Sequence, residues 1–593
     1  MKLSIMNSNA RFPRLGTVSV LAMVMAAGLG CSVQSGAPVD SSSTASVGEF
    51  ISVALAAPPA FVASTGIVTV TMTDETAEIY VNAADSSLMV NGVQAIDSSV
   101  TPHVTAMAAG KGANIKKIAV VDGASAAAGE VLILNYVNGV FGVGTAIAAG
   151  TTITYAHGTA NTLVVKGTPQ IDNFAAGATG ISLTNGAKTP TKDITVAGAV
   201  GVTAYNFFLG AGDDIFTSSG NAAVVGVFGH PVAIYGGAGN DTLVEGIVST
   251  PTETFSGGPG TDTVDYTLRP ANKPVSVAID PAGLITSGDA ATTPGDPTAG
   301  ATEGDIILDA EVIKGGAGDD FLMGGIAGSV TLNGGLGNDT FCQGDDTYKN
   351  GTDTLVGGGG TDTVDYSKRT HSLTVVMDNK TLSGDPTGNV HGEADVIGID
   401  VANMKLGSGG GTYTGNALNN MFFAGTGGSS TVNGLAGDDT LSEALDANNG
   451  ATEIFHGGAG TDTADYSGRT AALTVTMDGH TGSGDLAGTE RDMIDVDVEN
   501  LYGGTGADAL VGNVLDNDIE GNGGGDIISG MAGNDTLVGD PASGTADTAQ
   551  LHGNDAANTA EPGAFNLCLN TGSGGTPLLA PAAATANCQV FTP

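Results

Sequence analysis

From Gly503 to Val538 the apolar positions keep a period of nine. Leu510, Ile519, Ile528 and Leu537 stand eighth in four successive units that open on Gly503, Gly512, Gly521 and Gly530, and the sixth place holds Asp508, Asn517, Asp526 and Asp535. Nine is neither the period of a helix nor that of a lone strand. It fits a turn followed by a very short strand. The Gly-rich first six residues turn tightly because glycine reaches positive φ without steric cost, and three residues of strand then aim the aliphatic side chain inward. Two units close one coil, so residues two units apart stack at the strand spacing of about 4.8 Å. Asp508 is thereby expected beside Asp526, and Asn517 beside Asp535. Stacked carboxylates repel unless a cation lies between them, and a site of carboxylate and carbonyl oxygens suits Ca²⁺.

The unit recurs upstream. Asp241, Asp320, Asp339 and Asp439 hold the sixth place of copies opening at Gly236, Gly315, Gly334 and Gly434. Asp214 holds it in a degenerate copy where Leu209 replaces the first glycine, and Asn420 in a copy expected to keep the fold without an ion. A longer period overlies these. Gly260-Thr-Asp262-Thr-Val-Asp-Tyr266, Gly360-Thr-Asp362-Thr-Val-Asp-Tyr366 and Gly460-Thr-Asp462-Thr-Ala-Asp-Tyr466 lie 100 residues apart. Each runs through an arginine (Arg269, Arg369, Arg469) into an alternating strand, then a Ser-Gly-Asp (Asp289, Asp385, Asp485), then an acidic strand feeding the next glycine turn. Three cassettes of about 100 residues thus arose by duplication. Cys342 reads as a small buried core residue.

These G-G-x-G-x-D-x-U-x units resemble the nonapeptides of RTX (haemolysin-type) calcium-binding repeat proteins. The resemblance implies an all-β, mostly parallel β-roll or β-helix solenoid over residues 205–540. It also implies Ca²⁺ held at Asp214, Asp241, Asp262, Asp320, Asp339, Asp362, Asp439, Asp462, Asp508, Asp526 and Asp535.

Residues 51–204 read as a β-rich N-terminal domain. Ile67-Val-Thr-Val-Thr-Met, Ala77-Glu-Ile-Tyr-Val-Asn and Thr152-Ile-Thr-Tyr alternate, and Asn-Gly pairs punctuate them. Their spacing suits either a sandwich or irregular solenoid coils capping the repeats. Residues 1–30 look like an export signal: Lys2, Arg11 and Arg14 precede an apolar stretch, Thr17 to Leu29, too short to span a bilayer. Ala27-Gly28-Leu29-Gly30-Cys31 resembles a bacterial lipobox, with Gly28 departing from the usual Leu. That resemblance implies lipid on Cys31 and an outer-membrane destination, with secretion as the alternative if Cys31 is unmodified. Residues 31–50 form a polar tether. Residues 541–593 form an Ala/Pro/Gly-rich tail in which Cys568 and Cys588 can pair in an oxidising compartment. No later segment reads as a transmembrane helix.

Charge narrows the partners. Residues 201–593 hold 51 acids against 10 bases, whereas residues 1–200 hold 11 against 9. The acidity therefore belongs to the repeats, and no basic face offers itself to nucleic acid. There is no H-E-x-x-H, no G-x-S-x-G and no phosphate-binding loop, and the eight histidines are scattered. The pair Asp262 and Asp265, with its two copies, reads as one ion ligand and one exposed acid rather than as two catalytic carboxyls facing across a cleft. Two functions stay open. One is a calcium-binding surface protein, structural or adhesive, that meets a cell-surface glycan or protein. The other is a polysaccharide-acting lyase or epimerase using the repeats as scaffold.

Overall fold

The computed structural model describes scattered strands between residues 60 and 155, then 161–185, 194–196, 202–247, 251–283, 286–290, 303–324, 328–346, 352–385, 394–443, 451–485 and 490–539, and short strands from 548 to 591. The expected export signal, Cys31 and the tether lie outside these residues. Among the described residues there is no helix.

The nonapeptides build the coil their period demands. Ala509–Val511 pairs in parallel with Ile527–Ser529, setting Leu510 against Ile528, and Asp518–Glu520 pairs with Thr536–Val538, setting Ile519 against Leu537. All four aliphatic side chains are fully buried. One inward side chain per nine residues makes this stretch of core narrow. In several units the second and fourth places of the turn take positive φ, as at Gly458 and Gly460. Leu435 stands at such a second place with φ 84° and its side chain half exposed. A left-handed backbone costs a non-glycine residue about 1–2 kcal/mol, partly offset by the greater chain entropy of glycine, about 0.5–1 kcal/mol. Leu435→Gly is therefore expected to stabilise the protein by about 0.5–1 kcal/mol, read as a raised denaturation midpoint.

The N-terminal part is solenoid, not sandwich. Ile67–Met72, Lys117–Asp122 and Thr151–Tyr155 pair in parallel in one sheet. Thr76–Val81, Val131–Asn135, Asn161–Lys166 and Val202–Ala211 do so in a second. The first is a 16-stranded sheet reaching Val396–Ile397, the second a 9-stranded sheet reaching Ile306–Asp309. Both cross residue 204 without interruption, so the 51–204 stretch is continuous with the repeats.

Each cassette changes which sheets face each other. Val275–Ala278 founds a 13-stranded sheet and folds back antiparallel on Gly288–Asp289. The chain then lays the last strand of the 9-stranded sheet, Ile306–Asp309, and subsequent coils run between the 16-stranded and 13-stranded sheets. Leu373–Val376 likewise founds a 5-stranded sheet as the 16-stranded one ends, and Leu473–Thr476 founds a 7-stranded sheet as the 5-stranded one ends at Met493–Ile494. The 13-stranded sheet runs from the first cassette to the terminal roll and forms the spine. Inward residues of all coils join one core, from Val68 to Leu537, with Tyr266, Tyr366 and Tyr466 fully buried at the switches.

Candidate calcium-binding ladders

The sixth-place residues form ladders along the coil edges. In each rung, one carboxylate oxygen accepts the backbone N–H of the sixth-place residue one coil earlier. Asp241 Oδ1 accepts from Asp214 N at 2.8 Å, and Asp262 Oδ1 from Asp241 N at 2.7 Å. Asp339 accepts from Asp320 N and Asp362 from Asp339 N, both at 2.8 Å. Asp439 accepts from Asn420 N, Asp462 from Asp439 N, Asp526 from Asp508 N and Asp535 from Asn517 N. Asp508 thus lies beside Asp526, and Asn517 beside Asp535, as the 18-residue coil requires. The ladder through Asp214, Asp241 and Asp262 leads into the 16-stranded sheet, and those through Asp320, Asp339 and Asp362 and through Asn420, Asp439 and Asp462 lead into the spine.

The second oxygen of most rungs is the point of interest. Oδ2 of Asp214, Asp241, Asp262, Asp339, Asp362, Asp439 and Asp462 is buried and meets no hydrogen-bond donor. A Cβ built on Gly236 would run into Asp241 Oδ2, and the same collision recurs between Gly334 and Asp339, Gly434 and Asp439, and Gly530 and Asp535. The opening glycine of the unit therefore leaves the space that the carboxylate occupies. Asp320 and Asp508 differ. Both oxygens accept backbone N–H groups: from Val275 and Gly316 in the first, from Leu473 and Gly504 in the second.

A buried carboxylate oxygen without a donor needs a proton or a cation. Burial pushes the Asp214, Asp262 and Asp462 carboxyls up to about 7 and Asp339 to about 8, against the lowering effect of the rung hydrogen bond. Oxygen-rich, anionic and orphaned, the donor set fits Ca²⁺. In its absence the folded state binds more protons than the unfolded state between the ordinary carboxylate range and these raised values. Stability then falls as pH rises. In chelator, the melting temperature is expected to drop between pH 5 and pH 8; a flat or rising profile would contradict this.

Where the carboxylate is missing, an amide does the cation's local work. Asn420 Nδ2 donates to Ala402 O at 2.9 Å and Asn416 Oδ1 at 3.0 Å; Asn517 Nδ2 donates to Glu499 O and Asn513 Oδ1, both at 3.0 Å. Asn517→Asp would turn this donor into a second acceptor facing two oxygens. A buried unsatisfied group costs about 1–3 kcal/mol. The variant is expected to lose that much stability in chelator and to recover part of it with Ca²⁺, measured by thermal unfolding in both conditions.

Three rungs were not visible in the sequence reading. Asp172 donates its N–H to Asp214 Oδ1 at 2.7 Å and so begins the first ladder. Its unit, Gly167-Thr-Pro-Gln-Ile-Asp172-Asn-Phe174, keeps only the first glycine, the Asp and the apolar eighth residue. Glu311 and Glu499 continue the ladders beyond Asp262 and Asp462, at 2.7 and 2.8 Å, where a longer side chain spans a cassette insert. Of the acids three residues after Asp262, Asp362 and Asp462, Asp365 is buried rather than exposed and pairs with Lys405 at 3.0 Å. Asp265 pairs with Lys314 at 3.2 Å, and all three cap the following turn through Thr267, Ser367 or Ser467. Cys342 is fully buried, as expected, and is disulfide-bonded. The side chains of Cys31, Cys568 and Cys588 lie outside the described residues.

Parallel coils joined by glycine turns and stacked aspartates define a calcium-binding β-roll. The chain carries RTX calcium-binding nonapeptide repeats: the family of that description matches residues 233–244, 315–347, 349–366, 422–442 and 511–546, and repeats of this kind bind Ca²⁺. No curated protein matches the chain. Among the described residues no helix is long and apolar enough to cross a membrane.

Proposed function

We propose that this chain is an exported surface protein, structural or adhesive, whose solenoid is latched by Ca²⁺ at the sixth-place aspartates and tethered by lipid on Cys31. The observation that carries the reading is the run of donorless Oδ2 atoms at Asp214, Asp241, Asp262, Asp339, Asp362, Asp439 and Asp462. Each of these aspartates bonds the coil before it, so an ion bound there ties neighbouring coils together. Extracellular Ca²⁺ sites commonly have dissociation constants of about 0.1–1 mM, and a latch of that strength fills outside the cell. The resulting long, stiff face suits engagement of a cell-surface glycan or protein. The cassette acids lend nothing to a catalytic reading, because Asp262, Asp362 and Asp462 are buried rungs and their neighbours cap turns. Protease shaving of intact cells is expected to release repeat fragments, and palmitate label is expected on the wild type but not on Cys31→Ser. An unlabelled wild type, or a chain untouched by shaving, would overturn the surface assignment.

A further inference from the structure

The cassettes bury a second set of acids away from the ladders. In the first, Arg269 is fully buried and its guanidinium reaches Asp289 Oδ1 at 2.5 Å, Glu303 Oε2 at 2.7 Å and Glu245 Oε2 at 3.3 Å. Lys273 bonds the other oxygen of Asp289 at 2.5 Å, which balances that acid. Four further acids are buried around Arg269: Glu245, Glu253, Glu303 and Asp305, none more than 6% exposed. The third cassette repeats this with Arg469 against Glu443, Glu453, Glu490 and Asp492, none more than 2% exposed. Each cluster carries a formal charge of −3 in a dry interior. A single guanidinium offsets only one of those four charges, and the orphaned atoms point to a further cation. Glu245 Oε1, Asp305 Oδ2 and both oxygens of Glu453 are buried and receive no hydrogen bond. The Glu453 carboxyl instead lies against that of Asp492.

We propose that each of these two clusters holds one Ca²⁺ ion, at sites separate from the nonapeptide ladders. The first would be bound by Glu245, Glu303 and Asp305, whose carboxylate oxygens lie within 4.8 Å of one another, and the second by Glu443, Glu453 and Glu490, which meet the same limit. The donors are all hard carboxylate oxygens, the set Ca²⁺ prefers. A divalent ion reduces each cluster from −3 to −1 and gives the donorless oxygens a partner; a shared proton serves only two oxygens at a time. The middle cassette is the internal contrast. Gln343 replaces the glutamate found at 245 and 443, Asp353 shortens the one at 253 and 453, and Arg369 bonds the Gln343 backbone oxygen at 2.6 Å. The site sits where one sheet ends and the next begins, so the ion would fix the switch between sheets.

The test counts ions on the full-length chain. Bound Ca²⁺ is measured by equilibrium dialysis with elemental analysis for the wild type, for Glu443→Gln with Glu453→Gln, and for Glu245→Gln with Glu303→Gln. Each double variant is expected to bind one ion fewer, and the two combined two fewer. An unchanged count in variants that keep their β-sheet circular dichroism overturns the proposal and leaves shared protons as the explanation. Should a glutamine variant fail to fold, Tyr266→Phe and Tyr466→Phe serve instead, since both rings lie in these clusters and the chain has no tryptophan. With Tb³⁺ in place of Ca²⁺, each is expected to lose part of the tyrosine-sensitised emission; emission equal to the wild type's overturns the proposal. Asp439→Ala run alongside reports on the ladders by its own ion count, so either reading can fail without the other.

Discussion

Arg269→Met is expected to cost about 3–5 kcal/mol of stability, the range for removing one partner of a buried ion pair. The guanidinium bonds three carboxylates at once and lies 5.7 Å over the Tyr266 ring. Methionine fills much of the same volume, so the loss is electrostatic rather than a cavity. Glu245, Glu303 and Asp289 would lose their bonds to the guanidinium. Arg269→Lys is expected to rescue only in part, because a single ammonium cannot reach Asp289 through one nitrogen and Glu303 and Glu245 through another. Arg369→Met should cost less, since the residue facing it at 343 is a neutral glutamine. Urea unfolding at fixed Ca²⁺ orders the three. Equal losses for Arg269 and Arg369 would show that the acid cluster is not what the arginine balances.

The second large effect is on the ladders. Asp439→Ala with Asp462→Ala removes two consecutive rungs of the spine, both with a donorless buried oxygen. At a hundredfold excess over its dissociation constant, one filled site contributes about 2.7 kcal/mol. Loss of even one shared ion should therefore raise the Ca²⁺ concentration needed for half-folding several-fold. Asp320→Ala is expected to act differently. Both its oxygens already accept backbone N–H groups, so it should lower stability with and without Ca²⁺ alike. A double variant that loses stability equally in chelator and in Ca²⁺ would mean that the rungs act only as hydrogen-bond acceptors.

Much of this was legible in the sequence because the nonapeptide is a short-range code. A glycine, an Asp five residues on and an aliphatic two beyond that determine turn, ligand and core together, and all four units from Gly503 to Val538 fold as read. Asp172 escaped because its turn uses Thr168 and Gln170 where glycines normally stand. The buried clusters escaped for a different reason. Glu245, Arg269 and Glu303 are separated by 24 and 34 residues. Nothing local marks a glutamate as fully buried, and only the return of the chain to its old sheet after each insert brings them together. The sheet exchange was hidden likewise: Val275-Ser-Val-Ala reads as a strand, but not as the founding strand of a new sheet. The choice between sandwich and solenoid for 51–204 rested on pairing partners such as Leu163 with Leu132. No period announces such pairs; the register Leu163 to Leu132 and Val164 to Ile133 is a property of the folded coil.

Ca²⁺ dependence of folding is the central point, and the most direct measurement is far-ultraviolet circular dichroism of the full-length chain at neutral pH, first in chelator and then along a Ca²⁺ titration. Residues 201–593 carry a net charge of −41 from 51 acids and 10 bases, and self-repulsion of that size opposes the compact state. A reduced β signal of low thermal stability is expected in chelator, rising cooperatively to its full value as Ca²⁺ reaches the millimolar range, with Mg²⁺ a poor substitute because it demands tighter octahedral geometry. A full β signal in chelator, unchanged by Ca²⁺, would contradict it.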